Sequence, residues 1–145
     1  MVSAHDVAAY VLHQHGPMSA MKLQKLVYYA QAWSLVWEDR PLFGERIEAW
    51  AHGPVVPELY QEHRGRFEVR GWPRGNAAAL GTDDRETVDA VLGYYGNRNA
   101  QVLSDWTHSE DPWQLARAGL PDGERGSAEI TLESMMEYYS SLQRQ

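Results

Sequence analysis

Cysteine is missing from this chain of 145 residues. Its absence excludes a disulfide frame and thiol chemistry, and it fits a reducing compartment, so a cytoplasmic protein is expected. Long apolar runs are missing too. No 18 consecutive apolar residues occur, so no segment is expected to span a membrane. The opening residues, MVSAHDVAAY, carry no basic stretch leading into an apolar one, and no signal peptide is expected there. Lysine is scarce, with Lys22 and Lys25 set against 11 arginines among the 13 basic residues. That imbalance reads as compositional bias and not as mechanism. The formal net charge of −7 argues against a general nucleic-acid binder, which would repel phosphate, and it allows a basic partner. Phosphate-cradling and redox signatures are also absent: the chain has no GxGxxG, no Walker A sequence and no CxxC. No cofactor is expected.

Aromatic residues are plentiful and concentrated. From Met21 to Glu62 the chain reads MKLQKLVYYAQAW and later PLFGERIEAWAHGPVVPELYQE, with Tyr28, Tyr29, Trp33, Trp37, Trp50 and Tyr60 around one Gly-Pro pair. So aromatic a stretch belongs at the centre of a core. The length fits one domain, residues 1–145, able to bury that core without staples.

The periodicity predicts a mainly α fold. Ser3 with Asp6 forms a capping box for a first helix that Gly16-Pro17 stops. A second helix is expected over about 19–38. Leu23, Leu26, Val27, Ala30, Trp33, Ser34 and Trp37 make one stripe, and Tyr28, Tyr29, Ala32, Leu35 and Val36 make most of the rest apolar. A helix apolar nearly all round is buried on several sides, so this is the expected central helix. Weak alternation over Ile47–Ala51 suggests a short strand, Gly53-Pro54 a turn, and Pro57 the first turn of a helix through Tyr60. Gly65 to Gly81 reads as loop with a short hairpin. Asp83 and Glu86 are expected to cap a further helix, with Val88, Val91, Leu92 and Tyr95 inward. Ala100–Thr107 continues as a short helix. Asp111 is read as an N-cap with Pro112 at the first helical position, running to Ala118 before Gly119. After a loop, Thr131 caps a last helix carrying Leu132, Met135, Met136, Tyr139 and Leu142. The expectation is a compact single helical domain around a buried central helix, with minor short strand or hairpin content.

Four groups of residues invite a chemical reading. Lys25 lies one helical turn from Tyr28 and Tyr29, where it could make a cation–π contact or meet an acidic partner. The favoured reading is that its stem covers apolar surface while the amine reaches water, and Lys22 is read as simply exposed. His52, with Glu58 and Glu62, could hold a metal or move protons, but the spacing matches no ligand motif. Thr107, His108 and Ser109 could pair a base with a nucleophile, but no nucleophile elbow accompanies them, and capping of the next helix explains the stretch better. Arg64, Arg66, Arg70 and Arg74 interleave with Phe67 and Trp72, as in single-strand nucleic-acid grips. Glu62 and Glu68 dilute that charge, so a solvated loop that offers a protein-binding surface is preferred. His13 and His15 complement the end of the first helix.

Three blocks in order, KLQKLVYYAQAW, IEAWAHGPVVPELYQ and LSDWTHSEDPWQLAR, resemble the Panacea antitoxin domain, a family that includes SocA-like and many phage-associated proteins. The likeness runs from Lys22 to Trp113, about two thirds of the chain. It implies one half of a toxin–antitoxin pair: a non-enzymatic protein that binds and neutralises a toxin encoded nearby. Toxins of this family are of unrelated kinds, small alarmone-synthetase-like enzymes that block translation among them. SocA-like members instead deliver their partner to a protease, which makes a proteolytic adaptor the alternative. A small hydrolase or metal enzyme built on His52 and His108 is the remote one. Gln24, Lys25, Tyr28, His52, Gly53, Pro54, Tyr60, Thr107, His108, Pro112 and Trp113 match the shared motif positions, where they hold the fold or meet a partner. Toxin specificity is then expected outside them, in the loop carrying Arg64, Arg66, Phe67, Arg70, Trp72 and Arg74 and in the helical ends. The partners expected are the cognate toxin and, in the adaptor reading, a protease; neither nucleic acid nor membrane is expected. The oligomeric state is left open.

Overall fold

The computed structural model describes residues 1–143, so Arg144 and Gln145 of the expected domain span lie outside the described residues. The fold is mainly α with minor β. The first helix, α1 (Ala4–His15), starts on the expected capping box: the Ser3 hydroxyl accepts from the Asp6 N–H, and the Asp6 carboxylate accepts from the Ser3 N–H. Gly16, at φ 97°, ends it. A two-residue strand, β1 (Met18–Ser19), leads straight into α2 (Ala20–Trp37), whose N-cap hydroxyl on Ser19 accepts from the Lys22 N–H.

The central position of α2 is confirmed. Leu23, Leu26, Val27, Tyr28, Tyr29, Ala30 and Ala32 are all within 1 % of full burial. Each large apolar side chain so enclosed contributes roughly 1.5–3 kcal/mol. Helix α2 is touched by α1 on one side and, farther along the chain, by α4 (Thr82–Tyr95), α5 (Ala100–His108) and α7 (Leu132–Gln143). Its buried polar residues are not left bare. The Gln31 side chain accepts from the Leu42 and Phe43 N–H groups and donates to the Phe43 carbonyl, while Ser34 donates to the Arg40 carbonyl. These bonds fold the segment after α2 back onto it.

Strand β2 (Ile47–Trp50) pairs antiparallel with β3 (Gly53–Val55), in register Glu48 with Val55, Ala49 with Pro54 and Trp50 with Gly53. The expected Gly53-Pro54 turn is therefore strand, and the turn falls on Ala51-His52. Proline is tolerated there because β3 is an edge strand, in the sheet order β3-β2-β5 with β5 at Glu129–Ile130. Helix α3 (Pro57–His63) carries proline in its first turn as expected, but it runs one turn past Tyr60. The glycine-rich loop holds no hairpin of its own. Its strand β4 (Glu68–Val69) pairs instead with β1, which ties the loop to the entrance of α2.

Two expected caps are displaced. Helix α4 starts from Gly81 with no side-chain cap, and Asp83 and Asp84 serve its first-turn dipole instead. Helix α6 (Asp111–Arg117) has Glu110, not Asp111, as its N-cap, again with no side-chain cap bond. The Glu110 side chain is turned inward to two tyrosines. Strand β5 (Glu129–Ile130) adds to β2, and Thr131 then caps α7 by accepting from the Ser134 N–H, as expected. No helix among the described residues is long and apolar enough to cross a membrane.

Candidate functional site

The three motif blocks converge on one junction. Gln24 on α2 faces the residue between β3 and α3. Its side-chain oxygen accepts from the Val56 N–H at 2.9 Å, and its amide donates to the Val56 carbonyl at 3.2 Å. The same amide lies 3.0 Å from Nε2 of His63. The next residue on the helix, Lys25, reaches the Pro54 carbonyl at 3.2 Å. Gly53 is needed beside it. The backbone there is at φ 122°, and a β-carbon would sit 2.6 Å from Lys25 Cε and 3.1 Å from Thr107 Oγ1. Behind Gly53, Ser104 donates to the His52 carbonyl, and Thr107 donates to the Ser104 carbonyl. His108 stacks on Trp113 with centroids 4.1 Å apart, and the Trp113 indole donates to the Trp50 carbonyl. Tyr60 packs edge-on against Trp50. Tyr28 stands apart, with its hydroxyl against that of Tyr139 at 3.0 Å.

The reading of Lys25 as a residue whose amine reaches water is overturned. Lys25 is 1 % exposed, and none of the cation–π contacts found involves it. Its acceptor arrives on a hairpin from 29 residues away, so no local pattern announces it. Burial lowers its pKa from 10.5 to about 8. Lys22 is not simply exposed either; it is half-buried and donates to the Gly96 carbonyl at 2.7 Å. Burial lowers the pKa of His63 and of His108, which favours neutral rings at neutral pH.

The enzyme constellations do not assemble. His52 sits exposed on its turn, while Glu58 lies 3.6 Å from His5 and Glu62 pairs with Arg74 at 2.7 Å. No three His, Cys, Asp or Glu side chains converge as a metal set among the described residues. Thr107 and Ser109 each donate to a carbonyl of their own helix, and His108 Nε2 is buried without a hydrogen-bond partner. No nucleophile–base pair forms at this block.

The arginine loop divides in two. Trp72 is buried: its indole donates to Nδ1 of His5, and the two rings stack at 6.2 Å. It anchors the loop on α1. Arg70 pairs with Glu68 at 2.9 Å, which with the Arg74 pair dilutes the positive charge. Arg64, Arg66 and Phe67 stay exposed, Phe67 at 86 %. Arg66 and Phe67 form one lip of an open, largely apolar cleft of about 790 Å³. Motif residues Gln24, Lys25, His52 and Tyr60 line the same cleft, and Met21 stands on its rim.

Two residues outside the named candidate positions carry structural weight. Gln31 repeats the role of Gln24 two turns later, and the seven-residue spacing of two glutamines on an apolar helix was the available signal. Glu110 gave no signal in the chain, because its partners Tyr29 and Tyr139 come from two distant helices.

Comparison with known proteins adds an independent finding. The family described as antitoxin SocA-like, Panacea domain, matches residues 23–114, nearly two thirds of the chain. Antitoxin SocA of Caulobacter vibrioides (strain NA1000 / CB15N) is 47 % identical over 45 residues, which is 31 % of this chain and 24 % of the relative. The matched stretch thus spans about a quarter of that relative's length. No solved structure matches.

Proposed function

The chain belongs to the SocA-like Panacea antitoxin family, and from that premise we propose that it neutralises a cognate toxin by direct protein–protein binding, without catalysis of its own. The reading places the toxin on the cleft beside Phe67. The observation that carries it is that a nearly bare phenylalanine, 86 % exposed, stands over a largely apolar cleft whose floor is built from motif residues. A largely apolar cleft rimmed by exposed apolar side chains, here Phe67 and Met21, is the kind of contiguous surface that marks an interaction site. Aromatic anchors of this kind dominate binding energy when a partner encloses them. The motif floor is rigid, tied down by Gln24, Lys25 and Gly53, while the lip comes from a loop that can vary without disturbing the core. In this proposal the toxin is recognised by the lip and supported by the floor. A net charge of −7 favours encounter with a basic partner.

The test is a growth rescue. The neighbouring open reading frame is expressed alone and then with this protein, and the pair is purified by a tag on one partner. Relief of toxicity together with a stable complex is the expected result. Toxin that vanishes only when a protease is active would replace neutralisation with proteolytic delivery. Phe67→Ala should leave the fold unchanged and weaken the complex by on the order of a hundredfold, the equivalent of about 3 kcal/mol of lost apolar burial. An unaltered affinity would remove this cleft from the interface.

A further inference from the structure

A second cleft lies at the other end of α2, about twelve residues or roughly 18 Å along the helix from the first. It encloses about 700 Å³. Its walls are aromatic: Trp33 and Trp37 from α2, Tyr94 and Tyr95 from α4, Trp106 from α5 and Tyr138 from α7. Trp33 and Trp37 stack with centroids 5.0 Å apart, and the Trp33 indole donates to the Tyr95 hydroxyl at 2.9 Å. These bonds fix the rings in place.

Among the described residues, one charged group lines this aromatic space, the carboxylate of Glu110. The Tyr29 and Tyr139 hydroxyls both donate to the same oxygen, Oε1, at 2.8 and 2.7 Å. The other oxygen receives no hydrogen bond among the described residues, and no ion pair there includes Glu110. Burial raises the pKa of this carboxyl, and the two tyrosine bonds oppose the rise. A half-satisfied carboxylate walled by aromatic faces is the complement of a planar cation. The ring faces attract it through their quadrupoles, and the free oxygen accepts its N–H.

We propose that this cleft takes an arginine side chain presented by a segment of a partner protein. Three observations favour arginine. Its guanidinium stacks on indole and phenol rings while donating in its own plane, which an ammonium cannot do. The rim already displays that contact in miniature, because Arg98 lies 4.9 Å from the Trp106 ring and 5.8 Å from the Tyr94 ring without pairing with Glu110. The chain's negative charge complements a basic segment, and the cleft is larger than one side chain, so it accommodates the residues flanking the arginine. The site is separate from the cleft beside Phe67 and stands whether or not that cleft meets the toxin.

The probe is an acetylated, amidated glycine pentapeptide with one central arginine, read through the six tryptophan indole N–H signals by NMR. The expected result is saturable shifts of the Trp33, Trp37 and Trp106 signals, with Trp50, Trp72 and Trp113 unmoved. The citrulline peptide, equal in shape but neutral, should bind roughly tenfold more weakly or worse. Glu110→Gln keeps an oxygen for both tyrosines and should produce a similar loss. Three results would overturn the proposal: equal shifts from citrulline, equal binding of the lysine peptide, or shifts centred on Trp50, Trp72 and Trp113. The citrulline comparison uses the unaltered protein, so it decides the matter even if the glutamine variant folds poorly.

Discussion

Replacing Lys25 by methionine tests the junction most sharply, because the prediction concerns the pH dependence of stability and not merely its size. Methionine keeps most of the volume and removes the amine. Burial lowers the Lys25 pKa from 10.5 to about 8, so about 2.5 pH units separate folded and unfolded chains. At 1.36 kcal/mol per unit, keeping the proton in the folded state costs about 3.4 kcal/mol. Below pH 8 the amine is charged in both states, and the folded state bears that whole cost. Between pH 8 and 10.5 the folded protein has lost the proton while the unfolded chain still binds it, so stability rises with pH. The rise approaches about 1.4 kcal/mol per unit and sums to about 2.5 kcal/mol between pH 7 and pH 10. Tyr28, Tyr29, Tyr95 and Tyr139 act in the opposite sense above pH 10, because burial raises their pKa values and the unfolded chain ionises first. The informative quantity is therefore the difference between wild type and Lys25→Met, in which the tyrosines cancel. Urea denaturation of both proteins at pH 7, 8, 9 and 10 should show wild type gaining about 2.5 kcal/mol on the variant. At pH 7 the two should lie close together, since losing the bond to the Pro54 carbonyl offsets much of the relief. A difference that stays flat across this range would mean that the amine reaches water, and the account of the junction would fail.

Gly53→Ala should lower stability by at least about 2 kcal/mol, since φ 122° disfavours any side chain and the new methyl meets Lys25. A thermal melt should shift down by roughly 4–8 °C, and an unchanged Tm would contradict the close packing. Gln24→Leu should cost about 1–3 kcal/mol in urea, because it strips the acceptor from the buried Val56 N–H, while the Val56 carbonyl keeps the Leu59 and Tyr60 N–H groups. Amide exchange at Val56 should accelerate in the same variant, and a protected Val56 N–H would show that another acceptor replaces the glutamine.

The central helix and the caps of α1 and α7 were legible because their causes are local. Ser3, Asp6 and Thr131 each bond within three residues, so spacing alone locates them. The apolar circumference of α2 likewise needs no partner to be read. What escaped was set by distant chain. The β2–β3 turn falls on Ala51-His52, which carry no turn signature, and Gly53-Pro54 serves the strand that Lys25 and Thr107 press against. Asp111 looked like a cap because proline follows it. Glu110 takes the N-cap position although its own side chain is drawn away by Tyr29 and Tyr139. Trp72 read as part of an exposed basic loop, yet His5, 67 residues earlier, gives its indole an acceptor and turns it inward.

This division bears on where recognition can vary. Gln24, Lys25, Gly53, Pro54, Thr107, Pro112 and Trp113 are buried, and each block supplies one wall of the same junction. Changing one wall leaves polar or strained groups on the other two, so variation there is felt first as lost stability. Phe67 and the free oxygen of Glu110 have no such dependants. Phe67 rests on a loop already pinned by Trp72 and by the β1–β4 pair, and Glu110 keeps its tyrosines through one oxygen alone. Side chains at the two clefts can therefore change their partner contacts while the junction stands. Loss of binding with an unaltered urea midpoint is the signature that separates a recognition residue from a supporting one.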